Sequence, residues 1–266
     1  VLEDVLAHQS GLPAWIPFYV QTIENDSTRN YWYRDTPSSD YLKIQSGMYL
    51  RESIRDTMYE VLARSTMKTP VYRYSDLGYY LFQEMLEDRF NEPLDKWVSG
   101  TFYGPLGAKR LTYNPLKNGF ELNEIVPTEK DTYWRNSVVH GTVHDMGAAM
   151  FGGVAGHAGL FANANDLAKM MQMYLNGGYY GGERYFQSST IEKFSTCAFC
   201  EVQNRRGLGF DKKQLGDGPG PSCTCASDLS FGHTGFTGTM VWMDPEENLL
   251  YIFLSNRTYP SAENWK

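Results

Sequence analysis

The sequence predicts an α+β protein, with helices through the middle of the chain and strands at its end. Three observations carry this. Leu167, Met170, Met171, Tyr174 and Leu175 recur at helical spacing on one face, with a start near Asn165-Asp166 and a stop at Gly177-Gly178. Met240-Val241-Trp242-Met243 and Leu249-Leu250-Tyr251-Ile252-Phe253-Leu254 flank the turn Asp244-Pro245-Glu246-Glu247-Asn248, the pattern of a buried β-hairpin. Between them, residues 201–230 are rich in Gly and Pro and form a predicted loop.

The remaining elements follow in order. Leu2, Val5 and Leu6 have helical spacing with no capping residue before them, so the chain reads as starting inside a helix, as a fragment of a longer polypeptide does. Residues 16–48 are polar and aromatic, with turn signals at Asn25-Asp26-Ser27 and Thr36-Pro37-Ser38-Ser39. They predict an irregular excursion carrying Tyr19, Tyr31, Trp32 and Tyr33. Ile54, Met58, Val61 and Leu62 mark a helix. A second follows Ser75, its expected N-cap, with Asp76 in the first turn and apolar rows Leu77-Leu81-Met85 and Phe82-Leu86-Phe90. The Gly- and Ala-rich stretch 141–162 permits close backbone packing. Ser189-Thr190-Ile191-Glu192 has the spacing of a capping box.

The 266 residues suffice for one large domain. Its expected halves are a mostly helical and loop part over about 1–165 and a helix plus C-terminal sheet over about 166–266. Apolar residues at 42% indicate a packed core rather than disorder. The 24 basic against 31 acidic residues give −7 with no basic block, which argues against nucleic acid or an anionic membrane as partner. No apolar run is long enough to span a bilayer. The cysteines, Cys197, Cys200, Cys223 and Cys225, fall in one stretch. A disulfide clip on the intervening loop ranks first, free thiols second and a structural zinc third, because Cys-x-Cys spacing suits a zinc knuckle poorly.

The run Phe231-Gly232-His233-Thr234-Gly235-Phe236-Thr237-Gly238-Thr239 leads into the hairpin and leaves bare backbone beside a titratable ring. That suits a cleft-edge strand that pairs with an extended substrate and aims an N–H at an oxyanion. The alternative is a tight glycine turn with a solvated His. Tyr74-Ser75-Asp76 sits at a helix start, where a phenol can shuttle a proton if nearby cations lower its pKa; in isolation the tripeptide reads rather as a core Tyr beside a cap. His8-Gln9-Ser10-Gly11-Leu12-Pro13 is a helix-to-loop junction. His140, His144, Asp145 and His157 form a weak candidate metal set, disfavoured because Gly141, Thr142 and Val143 oppose a helix there.

Taken together and in order, these segments resemble the class C β-lactamase and penicillin-binding-protein-like serine hydrolases. His8-to-Pro13 resembles that family's Ser-Gly-Leu-Pro segment, Tyr74-Ser75-Asp76 its Tyr-x-Asn motif, and His233-Thr234-Gly235 its Lys-Thr-Gly motif. Gly207-Leu208-Gly209-Phe210 and Leu254-to-Pro260 are further landmarks, so the likeness covers nearly the whole chain. Val143-His144-Asp145 and 153–161 resemble a peptidase-like branch, some of whose members are fused to family-three glycoside hydrolases. The resemblance implies an antiparallel sheet flanked by helices beside a helical subdomain, N-terminally truncated, with no cofactor and a periplasmic or secreted location. It implies catalytic roles for Tyr74, Asp76 and His233, and substrate or oxyanion contacts at Thr234, Gly235 and Phe236. The expected substrates are β-lactams, peptidoglycan peptides or esters.

Two departures stand out. Asp76 replaces Asn, and His233 replaces Lys, so activity is expected to titrate near neutral pH. The family's Ser-x-x-Lys nucleophile would precede Val1. Ser65-Thr66-Met67-Lys68 is rejected as a substitute, because Pro70 prevents the helix that would bring Lys68 over Ser65. The fragment alone is therefore expected to be inactive. A non-catalytic peptidoglycan- or carbohydrate-binding module is the competing reading.

Overall fold

A computed structural model describes residues 2–263. The chain opens with α1 (Leu2–Leu6). In α2 (Asp26–Trp32) the first-turn N–H of Thr28 donates to the Asn25 side chain at 2.9 Å. β1 (Tyr33–Arg34), β2 (Tyr41–Gln45) and β3 (Met48–Arg51) make an antiparallel sheet in the order β1-β3-β2. The stretch expected to be irregular therefore holds a helix and most of a sheet. Its strands are too short for alternation to show, and Asn25, taken as a turn signal, is the cap.

Next, α3 (Ile54–Ala63) buries Ile54, Met58 and Leu62, as its spacing predicts. α4 (Leu77–Phe90) departs from expectation, since it buries Leu77, Gly78, Tyr80 and Gln83 and exposes Leu81, Met85 and Phe90. Gln83 is tolerated inside because its amide is satisfied, donating to the Val154 carbonyl at 3.1 Å and accepting from the Gly156 N–H at 3.2 Å. The N-cap position belongs to Asp76. Ser75 instead donates its hydroxyl to the Pro13 carbonyl at 2.7 Å while accepting from the Leu77 N–H at 3.2 Å.

α5 (Leu94–Val98) leads to short ribbons: β4 (Thr112–Tyr113) pairs with β7 (Leu160–Phe161), and β5 (Glu129–Asp131) with β6 (Ser137–Val139). α6 (Met146–Met150) is a buried turn of small residues, capped by Asp145, which accepts from the Ala148 N–H at 2.7 Å. α7 (Ala164–Leu175) follows its predicted periodicity, but its cap is Asn163 rather than Asn165. Beyond the ribbon of β8 (Tyr179–Tyr180) and β9 (Glu183–Arg184), α8 (Ser188–Ser195) begins a residue before the predicted capping box. That box does not form; the Ser188 hydroxyl is drawn to the Gly177 carbonyl at 3.1 Å.

The C-terminal sheet is antiparallel in the order β10 (Asp211–Lys212), β11 (Phe231–Gly235), β12 (Thr239–Asp244) and β13 (Leu249–Leu254). β10 lies within the predicted loop, where two residues between glycines give no period to detect. Phe231 and Met243 pack with Met171 and Ile191 between the sheet and the helices α7 and α8. A separate core gathers Leu50, Ile54, Leu77, Trp134 and Met150 in the first part of the chain. The hairpin is only half buried. Trp242 and Met243 are enclosed, while Leu249, Tyr251 and Phe253 are exposed.

Cys197 is bonded to Cys200 and Cys223 to Cys225, so each disulfide closes a tiny ring and none clips the loop between the pairs. Among the described residues no helix is long and apolar enough to cross a membrane.

Candidate active site

Three segments distant in sequence are stitched together around Tyr74 and His233. The Asn204 side chain, fully buried, donates to the Ala7 carbonyl and to Gln9, both at 2.9 Å, tying the first segment to the loop before β10. The Arg73 N–H donates to the His8 carbonyl at 2.9 Å, and the Lys68 N–H to the Gly11 carbonyl at 2.9 Å, binding the first segment to the connector before α4. Gly11 is needed here: φ is +81°, and a Cβ would strike the Lys68 carbonyl oxygen.

This stitching brings Tyr74 and His233 together, with ring centroids 6.1 Å apart. His8 backs the phenol from the other side, centroid to centroid 4.3 Å, and its Nδ1 lies 3.1 Å from the Ser75 carbonyl oxygen and 3.2 Å from the Ser75 nitrogen. Burial first, then the neighbouring Arg206 and His233, lower the His8 pKa to about 4, so this ring is neutral at physiological pH.

The electrostatics differ from the sequence expectation in two ways. Part of the Tyr74 ring is open to solvent, yet desolvation and then Asp76 push the phenol above its usual range, overriding Arg206. Tyr74 in this chain is a protonated donor, not a phenolate. At His233, burial and then the Arg206 guanidinium lower the imidazole, against the Thr234 carbonyl and Asp211. Its charge therefore does not switch on near neutral pH, because a permanent cation already stands beside it.

Asp76 joins them through its hydrogen bond with Tyr74. Burial raises its carboxyl, His157 opposes the rise, Asp145 adds to it, and a hydrogen bond with Tyr74 opposes it. His157 holds Asp145 through Nε2 at 2.8 Å and stacks on Tyr80, with centroids 4.3 Å apart. The four members of the weak metal set are dispersed among separate partners. His140 bonds the Ile125 carbonyl at 2.7 Å, His144 the Glu129 carboxylate at 2.8 Å, and His157 and Asp145 each other. No group of three such ligands converges among the described residues.

Thr234 and Gly235 stand at an open strand edge. β11 pairs with β12 along its length, from Phe231↔Met243 to Gly235↔Thr239, but β10 reaches only Phe231 and Gly232 on the other side. Phe236, at the turn, stacks on His144 at 5.5 Å and lies under the Arg257 guanidinium at 4.7 Å. Ser65 is occupied elsewhere, donating its hydroxyl to the Leu62 carbonyl at 2.7 Å at the end of α3.

Arg206 is the site residue that the sequence reading missed. It is buried, and it contacts His233, Asp211 and Tyr72 at 3.1, 3.3 and 3.3 Å, with its Cζ 5.1 Å from the Tyr74 ring centroid. The signal available was its place directly before the Gly207-Leu208-Gly209-Phe210 landmark, but an arginine in a polar loop ordinarily reads as solvated.

The beta-lactamase family profile matches residues 2–265. The chain belongs to the beta-lactamase family. An Escherichia coli K12 protein, provisionally named a D-alanyl-D-alanine carboxypeptidase, is 36% identical over 277 aligned residues, covering all of this chain and 59% of that protein. The chain thus spans under two thirds of that relative's length. A penicillin-binding-protein homologue from Caulobacter crescentus superposes with a TM-score of 0.58 at 18% identity, covering 96% of this chain and 65% of that one. A D-stereospecific amidohydrolase from Streptomyces gives 0.56 at 14%, covering 93% and 65%. These two show a shared fold: the β-lactamase and penicillin-binding-protein architecture of helices against an antiparallel sheet.

Proposed function

We propose that this chain is the Tyr- and His-bearing part of a serine hydrolase that cleaves D-alanyl peptides of peptidoglycan, or chemically similar amides, through an acyl-enzyme. The observation that carries the reading is Tyr74 facing His233 beside the unpaired edge at Thr234–Gly235. The name of the E. coli relative supports the substrate class. The attacking serine belongs, on this reading, to a portion of the longer protein outside these 266 residues, and the chain alone is inactive. A periplasmic or secreted location follows from that substrate, and a fused glycoside hydrolase module rests on the resemblance alone.

The roles follow from the geometry. A peptide adds as a strand against Thr234 and Gly235, which presents its carbonyl to the serine and to the Phe236 N–H as an oxyanion donor. Tyr74, protonated and hydrogen-bonded with Asp76, passes its proton to the leaving amine and recovers one from the attacking serine. Water then releases the acyl group.

The test is covalent labelling of the full-length protein by a fluorescent penicillin, alongside release of D-alanine from a peptide ending in D-alanyl-D-alanine. Labelling and release are expected, with Tyr74→Phe slowing acylation by about 10²–10⁴-fold and the 266-residue chain remaining unlabelled. No labelling by penicillin or by a fluorophosphonate would favour the non-catalytic binding module.

A further inference from the structure

We propose that Arg206, not His233, supplies the fixed positive charge beside the Tyr74 phenol, and that Arg206 acts as a positioning residue by holding His233 as a neutral imidazole protonated at Nδ1. The inference deepens the proposed function and rests on it for the role of Tyr74.

The hydrogen-bond chemistry leaves one state for the ring. A guanidinium has donors and no acceptor, so at 3.1 Å from Arg206 Nη1 the His233 Nε2 must offer a lone pair. A backbone carbonyl only accepts, so at 2.7 Å from the Thr234 oxygen the Nδ1 must carry the hydrogen. Both contacts are satisfied by the neutral Nδ1–H tautomer and by no other. An imidazolium would turn an N–H toward an N–H between two cations, at a partly buried contact where like charges repel.

The guanidinium is well held for this task. Arg206 Nη2 lies 3.3 Å from Asp211 Oδ2, and Nε donates to the Tyr72 hydroxyl at 3.3 Å. Asp211 is shared with Arg205, at 2.7 and 2.9 Å, so two cations face one carboxylate and a net positive charge is left beside the phenol. From the other elements the groups facing His233 and Arg206 are His8, Tyr74 and Tyr79, of which His8 is neutral above about pH 4. Asp211 is thus the nearby anion, and Arg205 already engages it. An arginine keeps its charge throughout the working pH range, which a histidine does not.

The site accordingly gains its charge from a residue that does not titrate, and His233 serves as a rigid spacer between that charge and the strand edge. Nitrogen-15 NMR of the histidine side chains in the protein tests this without recourse to activity. The His233 signals, assigned through His233→Gln, are expected to show a protonated Nδ1 and an unprotonated Nε2 at neutral pH. In Arg206→Gln the titration of the ring should move upward while burial still opposes its protonation, and Arg206→Lys should restore most of the neutral state. An imidazolium at pH 7 or an Nε2–H tautomer in the wild type would overturn the proposal. That measurement stands even if Arg206→Gln fails to fold.

In the full-length protein, Arg206→Gln is expected to slow penicillin acylation at pH 7 by about 10–100-fold and to add a new pH dependence, with Arg206→Lys recovering rate. Acylation by Arg206→Gln at the wild-type rate and pH profile would overturn it. Failure of every variant and the wild type to acylate would instead remove the hydrolase reading and leave the NMR result to decide the tautomer.

Discussion

His8 shows how a single buried side chain couples the site to pH. Its Nδ1 meets the Ser75 backbone, its ring covers Tyr74, and burial beside Arg206 lowers its pKa from 6.5 to about 4. In the unfolded chain the imidazole takes up a proton as pH falls through about 6.5, whereas the folded chain resists until about 4. Between these values the unfolded state binds more protons, so stability falls as pH falls. The contribution is fully present above about 6.5, is lost across the window, and does not change further below about 4. A gap of about 2.5 units corresponds to roughly 3 kcal/mol. Urea unfolding at pH 7, 5.5 and 4.5 should show this slope in the wild type and a shallower one in His8→Gln. Parallel slopes would mean that other groups carry the acid sensitivity. The sequence placed His8 at a structural junction but offered nothing about its neutrality, which comes first from burial and then from Arg206, some two hundred residues away.

At the level of the element, the strand β11 depends on a residue that has no side chain. Gly232 is paired with Trp242, and a Cβ there would strike the Val241 carbonyl and approach the Trp242 ring to 2.6 Å. Neither can yield without opening the β11–β12 ladder that seats His233 opposite Tyr74. Gly232→Ala is expected to cost about 2–3 kcal/mol and to loosen the His233–Arg206 contact. Gly100→Ala, in the helical turn Ser99–Tyr103 with open space around it, serves as the control and should change stability by under about 0.5 kcal/mol. Thermal or urea unfolding of the two variants checks the contrast, and equal midpoints would contradict the packing argument. The same scale explains which elements were legible. α3, α7 and the β12–β13 hairpin carry long periodic runs, and these fold as their patterns demand. α4 misled because its buried face contains Tyr80 and Gln83, and no period of apolar residues reveals a satisfied amide. The cap of α4 was misplaced by one position because the Ser75 hydroxyl donates to the Pro13 carbonyl of another segment, which leaves the N-cap position to Asp76.

Across the whole molecule, what the sequence revealed was order along the chain, and what it hid was convergence. Tyr74 and His233 could be paired because the segments carrying them resemble two motifs of one family, whereas Arg206 carries no motif and acquires its place beside them only when the loop at 204–209 is pinned to the first segment by Asn204. The same whole-chain view exposes an unbalanced surface. β13 is last in its sheet, so one edge has no strand beside it among the described residues. Leu250 points into the core with Met171 and Met243, and alternation sends Leu249, Tyr251 and Phe253 to the opposite face, where each is half or more exposed. A flat apolar edge strand without charge or proline is a template for pairing with another chain. The 266-residue chain is therefore expected to self-associate through β13 as its concentration rises. Sedimentation velocity across a hundredfold range of about 1–100 µM would show a growing faster species, by the concentration dependence that any such association obeys. Tyr251→Lys with Phe253→Lys places charges on the exposed face without touching Leu250, so it should abolish the faster species and leave the unfolding midpoint nearly unchanged. Persistence of association in that variant would move the contact to another face, with the exposed Leu81 and Met85 of α4 as the next surface to charge.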